Sequence, residues 1–232
     1  MPDRDTASPL APIRLTQVEA RILGCLMEKQ RSTPDQYPLT LNALTSACNQ
    51  KSSRHPIMSL ELGEVGHTVN GLRDRGLIHA GFAGRTERYD HKMVGTFHLS
   101  REEQAVLAVL MLRGPQTLGE LRTNTNRLAE FADLDAVAAT LSALAERSPP
   151  LALELPRTPG RREERFVHLL CGEPSPEDLA PAPSAPAGRS AAAPGGEAQG
   201  ARIAALEQEV AGLRAELDRL WELTGLAERR DG

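Results

Sequence analysis

Aromatic residues are scarce in this chain: one Trp, two Tyr and four Phe make up 3% of its 232 residues. A surface that stacks RNA or single-stranded bases needs several aromatic faces, but Phe82, Tyr89, Phe97, Phe131 and Phe166 are scattered. Positive charge is not in excess either. Lys and Arg number 27 against 31 Asp and Glu, a net charge of −4, which argues against a non-specific nucleic-acid coat. Cysteine is limited to Cys25, Cys48 and Cys171, each alone within or beside an apolar stretch. Without a Cys-x-x-Cys or a clustered Cys/His pair, buried reduced thiols are expected, with no metal and no cofactor. No apolar run is long enough to span a membrane, and residues 1–12 are short, polar and proline-containing, unlike a signal peptide. A cytoplasmic protein is therefore expected. A Gly-rich phosphate loop ending in Lys-Ser/Thr, a His-Glu-x-x-His and a Gly-x-Ser-x-Gly are all missing, and the six histidines are mostly isolated. A binding protein is expected before an enzyme.

What the chain does contain is one pattern that reads twice. Leu15-Thr16 with Glu19, Ile22, Leu23, Leu26 and Met27 is answered by Leu99-Ser100 with Glu103, Val106, Leu107, Leu110 and Met111. Thr16…Glu19 and Ser100…Glu103 are capping boxes, in which a hydroxyl and a carboxylate satisfy the free amides of a new helix. Thr40-Leu41-x-x-Leu44 is matched by Thr117-Leu118-x-x-Leu121, and Val65, Val69, Leu72 and Arg75 by Val137, Leu141, Leu144 and Arg147. Each copy holds three helices and a ribbon. The fold expected is mainly α with small β-ribbons (α+β): two tandem winged-helix domains and a C-terminal coiled-coil helix.

The expected organisation is a disordered N-terminus (1–12), winged-helix domain 1 (13–98), winged-helix domain 2 (99–172), a linker (173–200) and a coiled coil (201–230). Ala, Pro and Gly supply 18 of the 28 linker residues, too little apolar surface to fold. Ile203, Leu206, Val210, Leu213, Leu217 and Leu220 alternate three and four apart as a heptad. Two β-branched a positions and three Leu at d favour a parallel homodimer. In domain 1, helices are expected near 16–30, 39–48 and 60–75, followed by strands at 77–83 and 94–99. The tip between the strands, 84–92, would hold Arg85, Arg88, His91 and Lys92. Domain 2 repeats this with helices near 100–113, 117–124 and 133–147 and strands at 151–155 and 165–170.

Charge is uneven along the chain. Residues 13–98 carry 11 Lys/Arg against 8 Asp/Glu, residues 99–172 carry 9 against 10, and residues 173–232 carry 6 against 11. The basic side chains of domain 1 fall on three elements. Its third helix offers His67, Asn70 and Arg73, residue types that read base edges in a major groove, although Glu61 and Glu64 precede them. The loop before it carries Lys51, Ser52, Ser53 and Arg54, the cations and small hydroxyls that phosphate contacts require. The ribbon tip supplies Arg85, Arg88 and Lys92.

Several runs resemble the YceH family of bacterial proteins. They are Leu15-Thr16-x-x-Glu19-Ala20-Arg21-Ile22-Leu23-Gly24-Cys25-Leu26-Met27-Glu28-Lys29, then Thr33 to Leu44, then Ala47-Cys48-Asn49-Gln50-Lys51-Ser52-Ser53-Arg54-x-Pro56, and Leu112-Arg113-Gly114-x-Gln116-Thr117-x-Gly119-Glu120-Leu121-Arg122. The resemblance covers residues 15–172 and extends to the coiled segment. It implies tandem winged helices and supplies no catalytic residues.

The leading functional expectation is a homodimeric protein that binds duplex DNA through domain 1, as a transcriptional regulator. Asn70, Arg73 and His67 would approach bases, and Lys51, Ser52, Ser53, Arg54, Arg85, Arg88 and Lys92 would hold phosphates. The near-neutral charge and acidic tail favour the alternative, a protein-interaction module.

Overall fold

Four threonine or serine hydroxyls start helices in this chain, and an aspartate starts another. The computed structural model describes residues 13–156 and 163–174. Residues 1–12, the linker beyond Pro174 and the heptad positions Ile203, Leu206, Val210, Leu213, Leu217 and Leu220 lie outside the described residues. Helix α1 (Gln17–Ser32) opens on Thr16, whose Oγ1 accepts from the Glu19 amide while the Glu19 carboxylate accepts from the Thr16 amide. Helix α5 (Arg101–Arg113) opens on Ser100 and Glu103 in the same way. Thr40 caps α2 (Leu41–Cys48), Thr117 with Glu120 caps α6 (Leu118–Thr125), and Asp133 caps α7 (Leu134–Ala145). Helix α3 (Leu62–Asp74) starts at Glu61 without a side-chain cap. Among the described residues the protein is α+β, with seven α-helices and two antiparallel two-stranded sheets.

α1 and α5 are buried on every side over Ala20–Met27 and Glu103–Leu112 respectively. All-round burial marks a central helix rather than a surface one. Each is covered by its own pair, α2 with α3 and α6 with α7, and the two central helices pack directly on each other. Gly24 is where they come close: a Cβ there would lie 3.0 Å from Leu112 Cγ and Cδ2 and 3.3 Å from Met111 Cβ. One hydrophobic core therefore runs through residues 15–170, from Leu15 to Leu170. Gly24→Leu is expected to force these helices apart at a cost of about 1–3 kcal/mol, measured as a lower urea midpoint with an unchanged m-value.

The duplication extends to bridges and ion pairs. Leu39 and Tyr89 exchange backbone hydrogen bonds just before α2, and Gln116 and Phe166 do so just before α6, both at an offset of 77 positions. Arg88 Nη1 donates to Pro38 O at 2.7 Å, and Arg165 Nη1 donates to Pro115 O at 3.1 Å, again 77 positions on. The capping-box glutamates each take the arginine that follows the third helix: Arg75 to Glu19 at 2.7 Å and Arg147 to Glu103 at 2.8 Å.

The second ribbon pairs Ala152–Leu155 (β3) with Arg165–His168 (β4), as the spacing predicts. The first differs. β1 (Ile78–Ala83) turns back immediately through Gly84 and Arg85 into β2 (Thr86–His91), with Ala83 opposite Thr86. Gly84, at φ 66°, supplies the left-handed residue that a two-residue hairpin turn requires. The apolar residues expected to form the second strand make a short helix instead, α4 (Met93–Phe97), which stops at left-handed His98.

Candidate functional site

Helix α2 ends with carbonyls that no later turn can satisfy. Two buried arginines take them. Arg21, 1% exposed, donates from Nη1 to Cys48 O at 3.1 Å and from Nη2 to Pro56 O at 2.6 Å. Arg54 donates from Nε to Ala47 O at 3.0 Å and grips Glu28 with both terminal nitrogens, at 3.1 and 2.7 Å. Cations at a helix C-terminus meet the negative end of its dipole. Burial alone would raise the Glu28 carboxyl, but the guanidinium of Arg54 outweighs it and holds that pKa below the usual carboxylate range. Asn49 closes the loop by exchanging two hydrogen bonds with the Leu60 backbone, and His55 N donates to Leu112 O at 2.8 Å. The α2–α3 connection is thus pinned to α1, α2 and α5.

This pinning divides the four loop residues expected to hold phosphate. Lys51 and Ser52 are exposed. Arg54 has a fully buried side chain, so its charge is already matched by Glu28 and it cannot reach a phosphate. Ser53 sits at φ 60°, which turns its Oγ to accept from Arg113 Nη2 at 2.7 Å. Arg54 is thus a structural clamp rather than the phosphate contact expected of it, while Ser53, half-buried, positions Arg113.

On α3, Val65, Val69 and Leu72 are buried, leaving His67, Asn70 and Arg73 exposed. Arg73 lies 3.7 Å from Glu87 on β2, both side chains partly exposed, a pairing too weak to remove it from use. Arg85 and Lys92 are exposed, but the early hairpin turn separates them. They stand at opposite ends of β2, about 20 Å apart at the usual strand rise. Arg88, between them on the strand, is engaged by Pro38 O, as Arg165 is by Pro115 O. No single basic tip exists in this ribbon. His91 is buried, 4% exposed, and stands in a polar network with Gln30 and Gln104.

The pinned loop also forms one wall of a cleft of about 720 Å³. The other walls are the end of α1 (Glu28, Lys29, Ser32), the end of α5 (Val109, Leu112, Arg113) and the end of α6 with the residues after it (Thr123, Asn124, Asn126, Arg127, Leu128). Four cations, Lys29, Lys51, Arg113 and Arg127, line it against one carboxylate, Glu28, which already accepts from Arg54 and lies 3.2 Å from Lys29. The walls come from both copies of the repeat. Of these side chains, the sequence alone points only to Lys51, with Ser52 and Ser53. Arg113 is legible as part of the Leu112–Arg122 run, but only the fold places that run against residues 49–54. Arg21 looks like any charged residue on a helix; its burial follows from α1 being central.

The sequence profile of a family described as "Protein of unknown function, DUF480" matches residues 15–161. A UPF0502 protein of Geobacter sulfurreducens is 53% identical over 207 residues, covering 87% of this chain and 90% of the relative. One from Mesorhizobium japonicum is 48% identical over 206 residues (89% and 96%), and one from Vibrio parahaemolyticus is 46% identical over 215 residues (90% and 95%).

Proposed function

Since the chain belongs to the DUF480 (UPF0502) family, a description that carries no activity, we propose its function from its own geometry: a tandem winged-helix protein that binds duplex DNA. The observation that carries this reading is α3. One of its faces is sealed by Val65, Val69 and Leu72, and the other presents His67, Asn70 and Arg73 to solvent. Helix, bridge, helix, helix and hairpin follow one another in both copies, the order a winged helix needs. Asn70 suits adenine and Arg73 suits guanine in a major groove. Lys51 precedes α3 on a pinned loop, and Arg85 projects from the hairpin turn, so these two are the phosphate contacts of this reading, with Lys92 at the far end of β2. The heptad Ile203–Leu220 would pair two copies.

The test is fluorescence anisotropy of the full-length chain with a random duplex, titrated in salt. Micromolar binding with a steep salt dependence is expected. Lys51→Ala with Arg85→Ala should flatten the slope of log K against log salt by roughly 0.9 for each phosphate no longer neutralised. An unchanged slope in that double variant rejects the assignment.

A specific feature favours a second reading, a protein partner. Ile57 and Leu62 are 62% and 45% exposed around the start of α3, beside the carboxylates of Glu61 and Glu64. Leu134, at the equivalent first position of α7, is 43% exposed. Absence of DNA binding at low salt would move the function to these apolar positions.

A further inference from the structure

The cleft between the loop 49–56, α1, α5 and α6 has features that DNA binding by α3 does not use. Its volume of about 720 Å³ falls in the range of sites that enclose small molecules. Its floor is aliphatic, from Val109, Leu112 and Leu128, and contains no aromatic ring on which a base could stack. Its rim is cationic. Lys29 is partly matched by Glu28, but Lys51 and Arg127 have no carboxylate within ion-pair distance among the described residues.

Arg113 is the most telling of these residues. It is half-buried, yet its one side-chain hydrogen bond among the described residues goes to a neutral hydroxyl, Ser53 Oγ. Burial pulls its pKa below the ordinary arginine value, with Glu28 opposing that effect and Arg54 adding to it. A guanidinium that has lost part of its water without gaining a carboxylate keeps unmatched charge and donors to offer a ligand. Ser53 holds this geometry from a left-handed backbone conformation, which a non-glycine residue adopts at a cost and which concentrates at binding sites. Arg113 can still present a fork of donors to the cleft, the arrangement that matches phosphate oxygens.

We propose that this cleft binds a phosphate-bearing small molecule, with Arg113, Arg127 and Lys51 on the phosphate and the carbon skeleton against Val109, Leu112 and Leu128. The site is separate from α3 and shares only Lys51 with the DNA-binding reading; Arg113 and Arg127 belong to the cleft alone, so the two readings stand or fall separately.

The experiment is isothermal titration calorimetry of the full-length chain with inorganic pyrophosphate at physiological ionic strength, with sulfate as the comparison ion. Saturable pyrophosphate binding is expected, weakened about tenfold or more in both Arg113→Gln and Arg127→Gln. Arg127 is exposed, so its variant keeps the test valid even if Arg113→Gln fails to fold. Arg85→Gln, on the distant hairpin, should bind pyrophosphate as the parent does. The proposal is overturned if pyrophosphate does not bind, if sulfate binds equally well, or if all three variants weaken alike, which would reveal only general charge attraction. It is also overturned if duplex DNA binding depends on Arg113 and Arg127 while pyrophosphate neither binds nor competes, for the cleft would then be part of a polynucleotide surface.

Discussion

Arg54→Ala is expected to destabilise the protein by about 3–5 kcal/mol, the cost of breaking a buried ion pair on one side. The side chain of Arg54 is fully buried and that of Glu28 is 18% exposed. Removing the guanidinium strands the carboxylate, deprives Ala47 O of its donor at the end of α2, and frees Ser53 O. Arg54→Met fills more of the space but leaves Glu28 only the more exposed Lys29 as partner, so it should recover little. Arg54→Met combined with Glu28→Gln should recover more, because no charge is left behind. Lys51→Ala, three positions earlier and exposed, should stay within about 0.5 kcal/mol of the parent. Urea unfolding of the four variants measures this directly. A loss below 1 kcal/mol in Arg54→Ala would mean that Glu28 reaches solvent and the loop is not clamped as described.

The second large effect is a loss of stability in mild acid, traceable to His91. Its Nε2 lies 3.0 Å from Gln30 Oε1, an acceptor, and 3.4 Å from Gln104 Nε2, which donates instead to Gln30 Oε1 at 2.9 Å. The shorter contact favours the tautomer with the proton on Nε2. Nδ1 is buried and has no hydrogen-bond partner. A second proton would have to sit there, out of water. Burial is the main cause of a pKa pushed down to about 4, with Arg31 and Lys92 lowering it further and Asp90 opposing them. The unfolded chain therefore takes up a proton near pH 6.5 that the folded chain refuses until about pH 4. Stability from this residue is complete above pH 6.5, falls as the pH drops, and is exhausted below pH 4, a loss of about 3 kcal/mol in all. Carboxylates titrate in the same range, so the comparison must be with His91→Gln. Between pH 7.5 and 4.5 the parent should lose markedly more stability than this variant. Equal losses would show that His91 gains its proton without resistance.

These two residues also show where sequence reading succeeds and stops. Caps and amphipathic stripes are legible because they are local: Thr16 with Glu19, Thr40, Ser100 with Glu103, Thr117 and Asp133 sit within three positions of the amides they satisfy. Lys51 and Arg54 are indistinguishable in the loop, because what separates them is Glu28, which lies 26 positions upstream of Arg54. Strand β2 is hidden because its inward residues are Tyr89 and His91 rather than aliphatic ones. The aliphatic run after it suggests a strand where α4 forms. The cleft is out of reach for the same reason as the core that runs through both copies: each depends on how the copies dock, and periodicity reports only that a face is apolar.

That docking has a kinetic and thermodynamic consequence. One copy on its own would leave its first helix bare along the side that faces α5, and could cover it only by finding another molecule. Such an association depends on how much protein is present. With α1 and α5 in a single chain, the encounter becomes internal and the effective concentration is set by the connecting segment. Docking of α1 on α5 is therefore an intramolecular step, and covering these two helices needs no second molecule.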